Sequence, residues 1–588
     1  MHYITEPSQL AERIKLFHTD NPMGVDCETT GLDPYTAELR TLQLADEDKP
    51  NDTLVIDVRK VGTTAVAEYV NPLLENKSKV KAFHNAKFDL KFINHHLGAE
   101  PESVFDSYLS SLMLEGGLKK GKGFHGLAQT SERYLGITVD KDEQRSDWSG
   151  ELNEKQLAYA AKDADVLLPL RRTMIDFLKV KGLVRCAKLE FDCLMPIVWL
   201  ELSGFYMDFE QWLKIAAENR IKADEVYDKV CEILAPLMKQ QNLFGAFDIN
   251  LNSVAQVNEY FLMAGVPMPE STKEWLLTPL AKDYPLVQHL IDYRGFDKAD
   301  TAFGRNYKDF INTVTGRIHA DFMQIGASTG RFSCSNPNLQ QIPHDGSHRN
   351  CFKAEEGNTL LSLDYSQIEL RILADLARDE GAIDAFKSGV DYYTAMAIKA
   401  FKLDPEKPVS SEHRTFAKRL NFGIPYGIGP QKFAMQVGIP MVEGQQIMQD
   451  YFKAVPKIKR WLDYQKYRVL KDYDARSVVG RLALYECDVD DFKARSQMQR
   501  YACNFPIQAS SADITKRAMR IAYDRLKPYR KSLKFVNVVH DEMNFEVPKD
   551  LVEVVQPIIH QSMIEAGEEF IKACPVKVDS KSSDVWNK

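Results

Sequence analysis

Residues 359–371 read TLLSLDYSQIELR, and residues 534–547 read KFVNVVHDEMNFEV. The first segment is an apolar run that predicts a strand ending at Asp364. The second alternates apolar and polar residues on both sides of a central His-Asp pair, which is the pattern of a β-hairpin with its turn at that pair. Because strand ends can meet at one edge of a sheet, the two segments predict that Asp364, Asp541 and Glu542 lie together.

The length and composition indicate a folded protein with several domains. The chain has 588 residues, and at roughly 150 residues per domain about four compact units, or fewer larger ones, are expected. Hydrophobic residues make up 44% and charged residues 27%, values that are ordinary for a globular protein. The sequence contains neither a secretory signal nor an apolar run of roughly 18 residues, so a cytoplasmic protein that does not bind membranes is expected.

Charge and cysteine content exclude some simple assignments. Acidic residues outnumber basic residues by 83 to 75, so the total charge gives no electrostatic footprint for a polyanion. The nine cysteines lack the spacing of a zinc site, which favours reduced structural thiols. Any role in nucleic-acid chemistry must therefore be argued from particular residues.

Three regions follow one another along the chain. The first hundred residues alternate strand-like runs with helical patterns, which indicates an α/β domain with a mixed sheet that ends near Leu183. From Phe209 to Gln240 apolar residues recur at helical spacing, so long amphipathic helices are expected. After Gly316 a passage rich in Gly, Ser, Asn and Pro leads to the strand of residues 359–371 and to further helices.

The first region carries four acids and a tyrosine at spacings that suit one site. Asp26 and Glu28 in VDCETTGLD are two residues apart, so a strand would place them on one face. Asp89 lies in the otherwise apolar segment HNAKFDLKF, and Tyr159 and Asp163 in YAAKDADVL are four residues apart on a helix. Any one of these acids alone would be interpreted as a solvated surface charge. The five residues together predict a shared site.

Four carboxylates in one place require cations. At 4 Å and an effective dielectric near 20, each pair would repel by roughly 4 kcal/mol. Mg²⁺ or Mn²⁺ would relieve that repulsion, and a pair of such ions can activate a water and stabilise the leaving oxygen in phosphodiester hydrolysis. In such a site Tyr159 would orient the attacking water.

A helix between the two acidic segments carries a stripe that suits a nucleotide. In EHRTFAKRLNFGIPYG, residues 412–427, Arg414, Lys418, Phe422 and Tyr426 recur every four residues and drift by only about 40° per step around a helix. Two cations and two aromatics make a poor core stripe, because buried cations are costly unless they are paired. The cations would neutralise phosphates and the aromatic rings would pack on sugar and base, although a solvated amphipathic helix is the alternative.

Together these motifs resemble a known family. The order DxE, NxxxD, YxxxD resembles the motifs of the DEDDy-type 3′–5′ proofreading exonucleases. DYSQIELR, RxxxKxxxNFGxxYG and VHDE resemble motifs A, B and C of the family A DNA polymerases. The segments IDYRGFDKAD, TGRFSCSNPNLQQIP and RYACNFPIQASSAD extend that resemblance over nearly the whole chain.

The resemblance implies both a fold and a function. An α/β exonuclease domain with an RNase H-like mixed sheet, residues 1–183, would precede an α+β polymerase domain, residues 184–588, shaped like a right hand. The thumb would span about 205–325, the palm about 326–375 and 485–588, and the fingers about 376–484. The protein would be a DNA-dependent DNA polymerase that adds deoxynucleotides to a primer 3′ end and proofreads in the 3′–5′ direction.

The resemblance also implies a role for individual residues. In the polymerase site two Mg²⁺ or Mn²⁺ ions would be held by Asp364 and Asp541, with Glu542 in support; in the exonuclease site two would be held by Asp26, Glu28, Asp89 and Asp163. Lys418 would donate a proton to the leaving pyrophosphate. The nucleotide-binding residues would be Arg414, Lys418, Phe422, Tyr426, Gln367 and Glu369, of which Glu369 would exclude a ribose 2′ hydroxyl. The DNA contacts would be Arg331, Asn338, Gln341, Arg500, Asn504, Gln508 and His540.

The expected partners are primer-template DNA, deoxynucleoside triphosphates and a single-stranded DNA 3′ end, bound by a monomer. Basic clusters are expected to hold the duplex, and they comprise Arg414, Lys418, Arg419 and Lys432, then Lys493, Arg495, Arg500, Lys516 and Arg517. The chain begins almost at the exonuclease motifs, so a compact, phage-like replicase without a 5′ nuclease domain is expected.

One residue departs from the family pattern. Pro425 stands immediately before Tyr426, where an aliphatic residue is usual. Because proline lacks an amide donor and clashes with the preceding turn, we expect the helix to kink or stop near Ile424. That puts the position of Tyr426 in question.

Two other functions compete with this interpretation. A single-subunit RNA polymerase would share the palm, but Glu369 and the exonuclease acids count against it. A chain in which only the nuclease is active would not need the full set of Asp364, Lys418 and Asp541.

Overall fold

The computed structural model describes residues 1–17, 19–118, 120–139, 143, 146–237, 248–343 and 346–587. The chain forms two compact units. The first comprises Met1–Gly204, Ala320–Ser335 and Leu361–Ser582, and the second comprises Phe205–His319, Asn336–Leu360 and Ser583–Lys588. Among the described helices, none is both long and apolar enough to cross a membrane. Within the same residues, the nine cysteines form no disulfide.

The first unit begins with a six-stranded mixed sheet. Its strands lie in the order β1-β4-β3-β2-β5-β6, with β3 antiparallel to both of its neighbours and β5 parallel to both of its own. The strands are β1 (His2–Ile4), β2 (Met23–Thr29), β3 (Leu39–Asp46), β4 (Lys49–Asp57), β5 (Lys81–Phe83) and β6 (Val104–Asp106). This sheet confirms the predicted α/β class of the first region.

Nine helices follow or flank these strands within the described residues. They are α1 (Pro7–Arg13), α2 (Val58–Val61), α3 (Thr63–Leu74), α4 (Ala86–Leu97), α5 (Ser107–Leu114), α6 (Leu127–Leu135), α7 (Glu154–Val180), α8 (Val184–Asp192) and α9 (Leu194–Ser203). Val25, Leu42 and Leu44 of the central strands are fully buried, and they share one apolar core with Leu90 of α4 and Leu167 of α7. Helices therefore cover the strands that carry the first acids.

The second unit is mainly helical. Its elements are the short strands β7 (Phe205–Tyr206) and β8 (Arg317–Ile318) and the helices α10 (Phe209–Leu234), α11 (Val254–Met263), α12 (Glu274–Leu277) and α13 (Pro285–Ala302). Val230, Phe261 and Val287 form part of its apolar core. A long amphipathic helix was predicted from Phe209 to Gln240, and α10 confirms it as far as Leu234, whereas residues 238–247 lie outside the described part.

The remainder of the first unit contains a four-stranded sheet in the order β14-β15-β11-β16. Outside this sheet, the same part of the unit contains two short antiparallel pairs, β9 with β10 and β12 with β13. The strands are β9 (Asp321–Met323), β10 (Ser333–Ser335), β11 (Asn358–Tyr365), β12 (Asp474–Arg476), β13 (Leu482–Leu484), β14 (Lys534–Val539), β15 (Glu542–Pro548) and β16 (Val578–Ser583). The hairpin of β14 and β15, with its turn at residues 540–541, is the predicted one.

Nine further helices belong to this part of the first unit within the described residues. They are α14 (Ile368–Ala377), α15 (Glu380–Lys387), α16 (Tyr392–Phe401), α17 (Ser411–Gly423), α18 (Pro430–Val437), α19 (Met441–Ala454), α20 (Pro456–Asp472), α21 (Phe492–Arg525) and α22 (Val552–Phe570). The longest, α21, buries an almost continuous apolar face that includes Ile507, Ile514 and Met519. It also carries three of the predicted DNA contacts.

Candidate active sites

Three elements bring the first set of acids to one cavity. Strand β2 contributes Asp26 and Glu28, helix α4 contributes Asp89, and helix α7 contributes Tyr159 and Asp163. All five side chains line a cavity of about 880 Å³. The structure therefore places together every residue that the sequence assigned to this site.

A glycine allows α7 to reach the strand. A Cβ atom on Gly24 would lie 2.3 Å from the carbonyl oxygen of Ala164 and 3.4 Å from the Cβ of Ala45. Because Ala164 follows Asp163 directly, this close approach of backbone to backbone sets how near Asp163 comes to Asp26 on β2. Any side chain at residue 24 would push the helix away.

Burial raises the pKa of three of these acids, and neighbouring carboxylates raise the pKa of Asp26 and Glu28 further. Burial and the charges of Asp89, Glu28 and Asp163 raise the pKa of Asp26 well above its ordinary value. Burial followed by the charges of Asp163 and Asp89 does the same for Glu28. Burial raises the pKa of Asp89 to about 7, even though the Cys27 amide donates a hydrogen bond of 3.0 Å to its carboxylate.

This electrostatic conflict is what a divalent cation would relieve, so the donor set suits a hard metal ion. Within the described residues, however, no three His, Cys, Asp or Glu side chains stand close enough to be a ready-made metal cage. The phenol of Tyr159 hydrogen-bonds to Asp163, and burial together with that carboxylate raises the pKa of Tyr159.

Other residues line the same cavity and were not predicted from the sequence. They include a buried tryptophan, an exposed leucine, a cationic side chain and a histidine, namely Trp148, Leu32, Lys87 and His84. Lys87 donates to Glu201 at 2.6 Å and is also ion-paired with Asp321. No spacing pattern marks these residues, because they reach the cavity from separate loops and helices.

The second set of acids lies on adjacent strands of the four-stranded sheet. Asp364 is near the end of β11, Glu542 begins β15, and Asp541 lies in the turn before it. The Ser362 hydroxyl donates to Asn544 at 2.5 Å, and Asn544 donates to Glu542 at 2.8 Å. Side chains two residues apart on a strand share a face, so Asp364 and Glu542 lie on the face of this hydrogen-bonded chain.

The charge of Asp541 also affects the pKa of a residue at the end of β11. Burial, then the charge of Asp541, raises the pKa of Tyr365 well above its ordinary value. Tyr365 directly follows Asp364, so Asp541 is electrostatically close to the strand end that carries the first acid. Carboxylates arranged this way form a donor set that suits a hard divalent ion.

Helix α17 presents the predicted stripe to solvent. Arg414, Lys418 and Phe422 lie on its exposed side, while the opposite side buries Phe416 and Leu420. The helix ends at Gly423, and residues 424–427 form a turn closed by a hydrogen bond of 2.9 Å from the Gly427 amide to the Ile424 carbonyl. The stop expected from Pro425 is present, and Tyr426 therefore lies on the turn beyond the helix.

Arg414 is held by an acid that no sequence motif marks. Its Nε and Nη2 donate to the two carboxylate oxygens of Asp391, at 2.9 and 3.0 Å. Asp391 is also the N-cap of α16 and accepts from the amide and hydroxyl of Thr394, each at 2.9 Å. Partial burial alone would raise the pKa of Asp391, but Arg414 and Thr394 hold it below its ordinary value.

A chain of hydrogen bonds joins four predicted site residues. Arg331 forms an ion pair with Glu369 on the first turn of α14, and the hydroxyl of Tyr426 lies 3.5 Å from the same carboxylate. Gln508 on α21 donates to the hydroxyl of Tyr426. Gln367, which precedes α14, has φ of 55°, a left-handed conformation that is uncommon for this residue type. The turn after α17 thus contacts α14 and α21.

The other predicted DNA contacts have separate positions. Arg500 and Asn504 lie on α21, and His540 is exposed at the tip of the β14–β15 turn with φ of 58°. Asn338 and Gln341 belong to the second compact unit, where Asn338 caps a short 3₁₀ helix by accepting from the Gln340 amide at 3.1 Å.

One basic residue expected to grip the duplex cannot do so. Lys516 is fully buried, and its ammonium donates to Glu190, to the Gln324 carbonyl and to the Gly330 carbonyl, at 2.6, 2.8 and 2.7 Å. The expectation was wrong because the charge of a lysine does not reveal which side of its helix faces the core. Its neighbour Arg517 is partly exposed and pairs with Glu569.

Comparison with known proteins identifies the family. Residues 224–588 match the model of DNA polymerase family A, and residues 1–179 match a 3′–5′ exonuclease model. DNA polymerase I of Aquifex aeolicus is 31% identical over 100% of this chain and 99% of its own length. The DNA polymerases I of Borreliella burgdorferi and Pseudomonas aeruginosa are 29% and 30% identical, and this chain spans 64% and 63% of their lengths.

The fold agrees with a solved structure. The polymerase domain of Pol1 from M. smegmatis, in complex with a DNA primer-template and dNTP, has a TM-score of 0.85 and 24% identity, with 99% of each chain covered. At that identity the likeness speaks for the fold alone. With the family models and the Aquifex relative, the chain belongs to the family A DNA polymerases and is a DNA polymerase that carries a 3′–5′ exonuclease domain.

Proposed function

We propose that the two acid clusters are the two active sites, one that extends a primer and one that shortens it. Family A polymerase domains and exonuclease domains of this kind generally use divalent metal ions. We assign two Mg²⁺ or Mn²⁺ ions to each cluster. When bound, such ions would activate the attacking oxygen and stabilise the leaving one.

In the extending site, Asp364 and Asp541 would hold the metal ions and Glu542 would support them. Lys418 would donate a proton to the leaving pyrophosphate, and Arg414 would bind the outer phosphates. Both cations are exposed on the same side of α17, which supports this assignment. The aromatic rings of Phe422 and Tyr426 would then pack against the nucleotide sugar and base.

The hydrogen-bonded series that runs from Arg331 through Glu369 and Tyr426 to Gln508 would test the shape of the newly formed base pair. Glu369 would exclude a ribose 2′ hydroxyl, and the conformation of Gln367 would place it beside the nucleotide. The remaining contacts to DNA would come from Arg331, Asn338, Gln341, Arg500, Asn504, Gln508 and His540. Minor-groove acceptors are shared by all correct base pairs, so such contacts would test pair shape without reading sequence.

In the shortening site, Asp26, Glu28, Asp89 and Asp163 would hold the metal ions and Tyr159 would orient the attacking water. The observation that carries this assignment is the shared cavity, in which burial and the neighbouring carboxylates raise the pKa of Asp26 and Glu28. The substrate would be a frayed single-stranded 3′ end.

We further propose the domain boundaries and the partners. The exonuclease domain would span residues 1–183 and the polymerase domain 184–588, with the thumb, palm and fingers at the boundaries given above. The M. smegmatis polymerase domain was solved with a primer-template and dNTP. We infer that this chain binds the same classes of ligand, as a monomer.

Paired substitutions test the separation of the two sites. Asp364→Ala should abolish primer extension in Mg²⁺ and leave degradation of a single strand within about twofold of the parent. Asp26→Ala should do the reverse. Both activities are read from one labelled primer on a gel, with and without deoxynucleotides. Loss of both activities in either variant would contradict two separate sites.

A further inference from the structure

A buried network of four charged side chains lies among elements of the first unit. It consists of Glu190 on α8, Arg481 just before β13, and Asp513 and Lys516 on α21, with at most 3% of any of these residues exposed. Arg481 donates to Asp513 at 2.9 and 2.6 Å and is ion-paired with Glu190, and Lys516 donates to Glu190 at 2.6 Å. Two cations therefore balance two anions without solvent.

Burial raises the pKa of Asp513 and lowers the pKa of Lys516, whereas the ion pairs of Glu190 outweigh its burial. Burial alone would raise the pKa of Glu190, but the adjacent Lys516 and Arg481 hold it below its ordinary value. The other oxygen of Asp513 accepts from the Ser477 hydroxyl at 2.6 Å. Buried ion pairs of this kind contribute little net stability compared with a well-packed apolar core. A structural task other than stability is therefore the better explanation.

The network fixes the loop between β9 and β10. The ammonium of Lys516 donates to the carbonyls of Gln324 and Gly330, at either end of that loop, and lies 5.2 Å from the ring centre of Phe332. The side-chain amide of Gln324 donates to the Glu190 carbonyl at 2.6 Å. Gly330 and Phe332 are the two chain neighbours of Arg331, so Lys516 contacts the residue on each side of it, at the Gly330 carbonyl and at the Phe332 ring.

Close packing at Gly330 strengthens this restraint. A Cβ there would lie 2.5 Å from the guanidinium carbon of Arg481, and its φ of 77° is a conformation that favours glycine. The loop thus lies directly on the network. From this loop the side chain of Arg331 extends to Glu369. Gln508 lies on α21 two turns before Lys516, and it donates to the hydroxyl of Tyr426.

We infer that Lys516 and Glu190 are positioning residues for primer extension, because they set where Arg331 stands relative to Glu369 and Gln508. This inference rests on the proposed role of Arg331 at the primer terminus. Neither Lys516 nor Glu190 would touch DNA or nucleotide. Both would act only through the loop that carries Arg331.

A double-mutant cycle tests the inference. Arg331→Ala, Lys516→Met and the double variant are compared by kcat/KM for extension of a paired primer with Mg²⁺. Each single change should lower kcat/KM by at least about 10-fold. The double variant should fall no more than about threefold below Arg331→Ala, because residues that act through one another do not add. Lys527→Met is the matched control, an exposed lysine just beyond α21 that should remain within about twofold of the parent.

The outcomes separate this inference from the proposed function. Full additivity of the two losses, or a Lys516→Met variant with the parent's kcat/KM, would overturn the inference and leave the role of Arg331 intact. An Arg331→Ala variant with the parent's kcat/KM would overturn that role and the inference with it.

A second variant covers the case in which Lys516→Met fails to fold, which thermal melting would reveal. Gly330→Ala removes no charge, but its methyl group would meet Arg481 and displace the loop. It should reproduce both the loss of kcat/KM and the lack of additivity with Arg331→Ala. A Gly330→Ala variant that extends primers like the parent would overturn the inference.

Discussion

Asp391→Asn should make the polymerase bind deoxynucleotides more tightly. In this structure Asp391 occupies both Nε and Nη2 of Arg414, the groups that we assign to the outer phosphates of the nucleotide. A triphosphate must displace the carboxylate before it can bind there. Asparagine keeps the side-chain oxygen that caps α16 at Thr394 but removes the charge that holds Arg414.

The expected change in KM follows from the solvent exposure of the Arg414–Asp391 ion pair. The side chains of Arg414 and Asp391 are 48% and 35% exposed, so the pair is screened and is worth about 0.5–1 kcal/mol. At about 1.4 kcal/mol per factor of ten, KM for the deoxynucleotide should fall by about two- to fivefold. The difference should shrink as the salt concentration rises, because exposed charges are screened further.

Steady-state primer extension with a varied single deoxynucleotide measures this change. Asp404→Asn provides the matched control, since Asp404 is an exposed acid paired with Lys407 at 3.6 Å and does not contact Arg414 in the described hydrogen bonds. An Asp391→Asn variant whose KM is unchanged or higher than that of the parent would refute the competition between carboxylate and phosphate.

Three further predictions concern other parts of the chain. Glu369→Ala should admit ribonucleotides at least about 10-fold more readily, and single-nucleotide incorporation assays that show unchanged sugar discrimination would exclude its gating role. Gly24→Ala places a methyl group 2.3 Å from the Ala164 oxygen, so single-strand degradation should fall while primer extension continues. Equal degradation by variant and parent would refute this packing argument. Burial lowers the pKa of Lys81 to about 7 from 10.5, so the unfolded chain binds more protons between these values and stability should rise with pH across that window. In urea unfolding, the change in stability from pH 7 to pH 10 should be more positive in the parent than in Lys81→Met, and an equal change in both would exclude Lys81 as a cause.

Sequence periodicity determined much of the local structure. The alternation around residues 540–541 predicted the β14–β15 hairpin, and the apolar run before Asp364 predicted β11. Proline chemistry predicted a kink or stop near Ile424, and α17 ends one residue earlier, at Gly423. Each of these features depends on a few consecutive residues, whose side-chain direction and backbone freedom are fixed by local geometry.

Side-chain partners were harder to predict. Asp391 has no motif that marks it as the partner of Arg414, since the two residues lie 23 positions apart on different helices. Lys516 was assigned to a basic surface because its charge is visible in sequence, whereas its burial depends on how α21 packs. The sequence also gave no sign that Arg331 would pair with Glu369.

The order of the motifs, the types of residue available to each site and the periods of their strands and helices are all evident from the amino-acid sequence. The packing of the folded chain, in contrast, sets which charges face the core and which distant side chains meet, as Glu190, Arg481, Asp513 and Lys516 do. This difference arises because side-chain direction along one element is a local property of the backbone. Burial and pairing instead depend on how elements far apart in the chain pack together, and a buried charge is stable only when that packing supplies its partner.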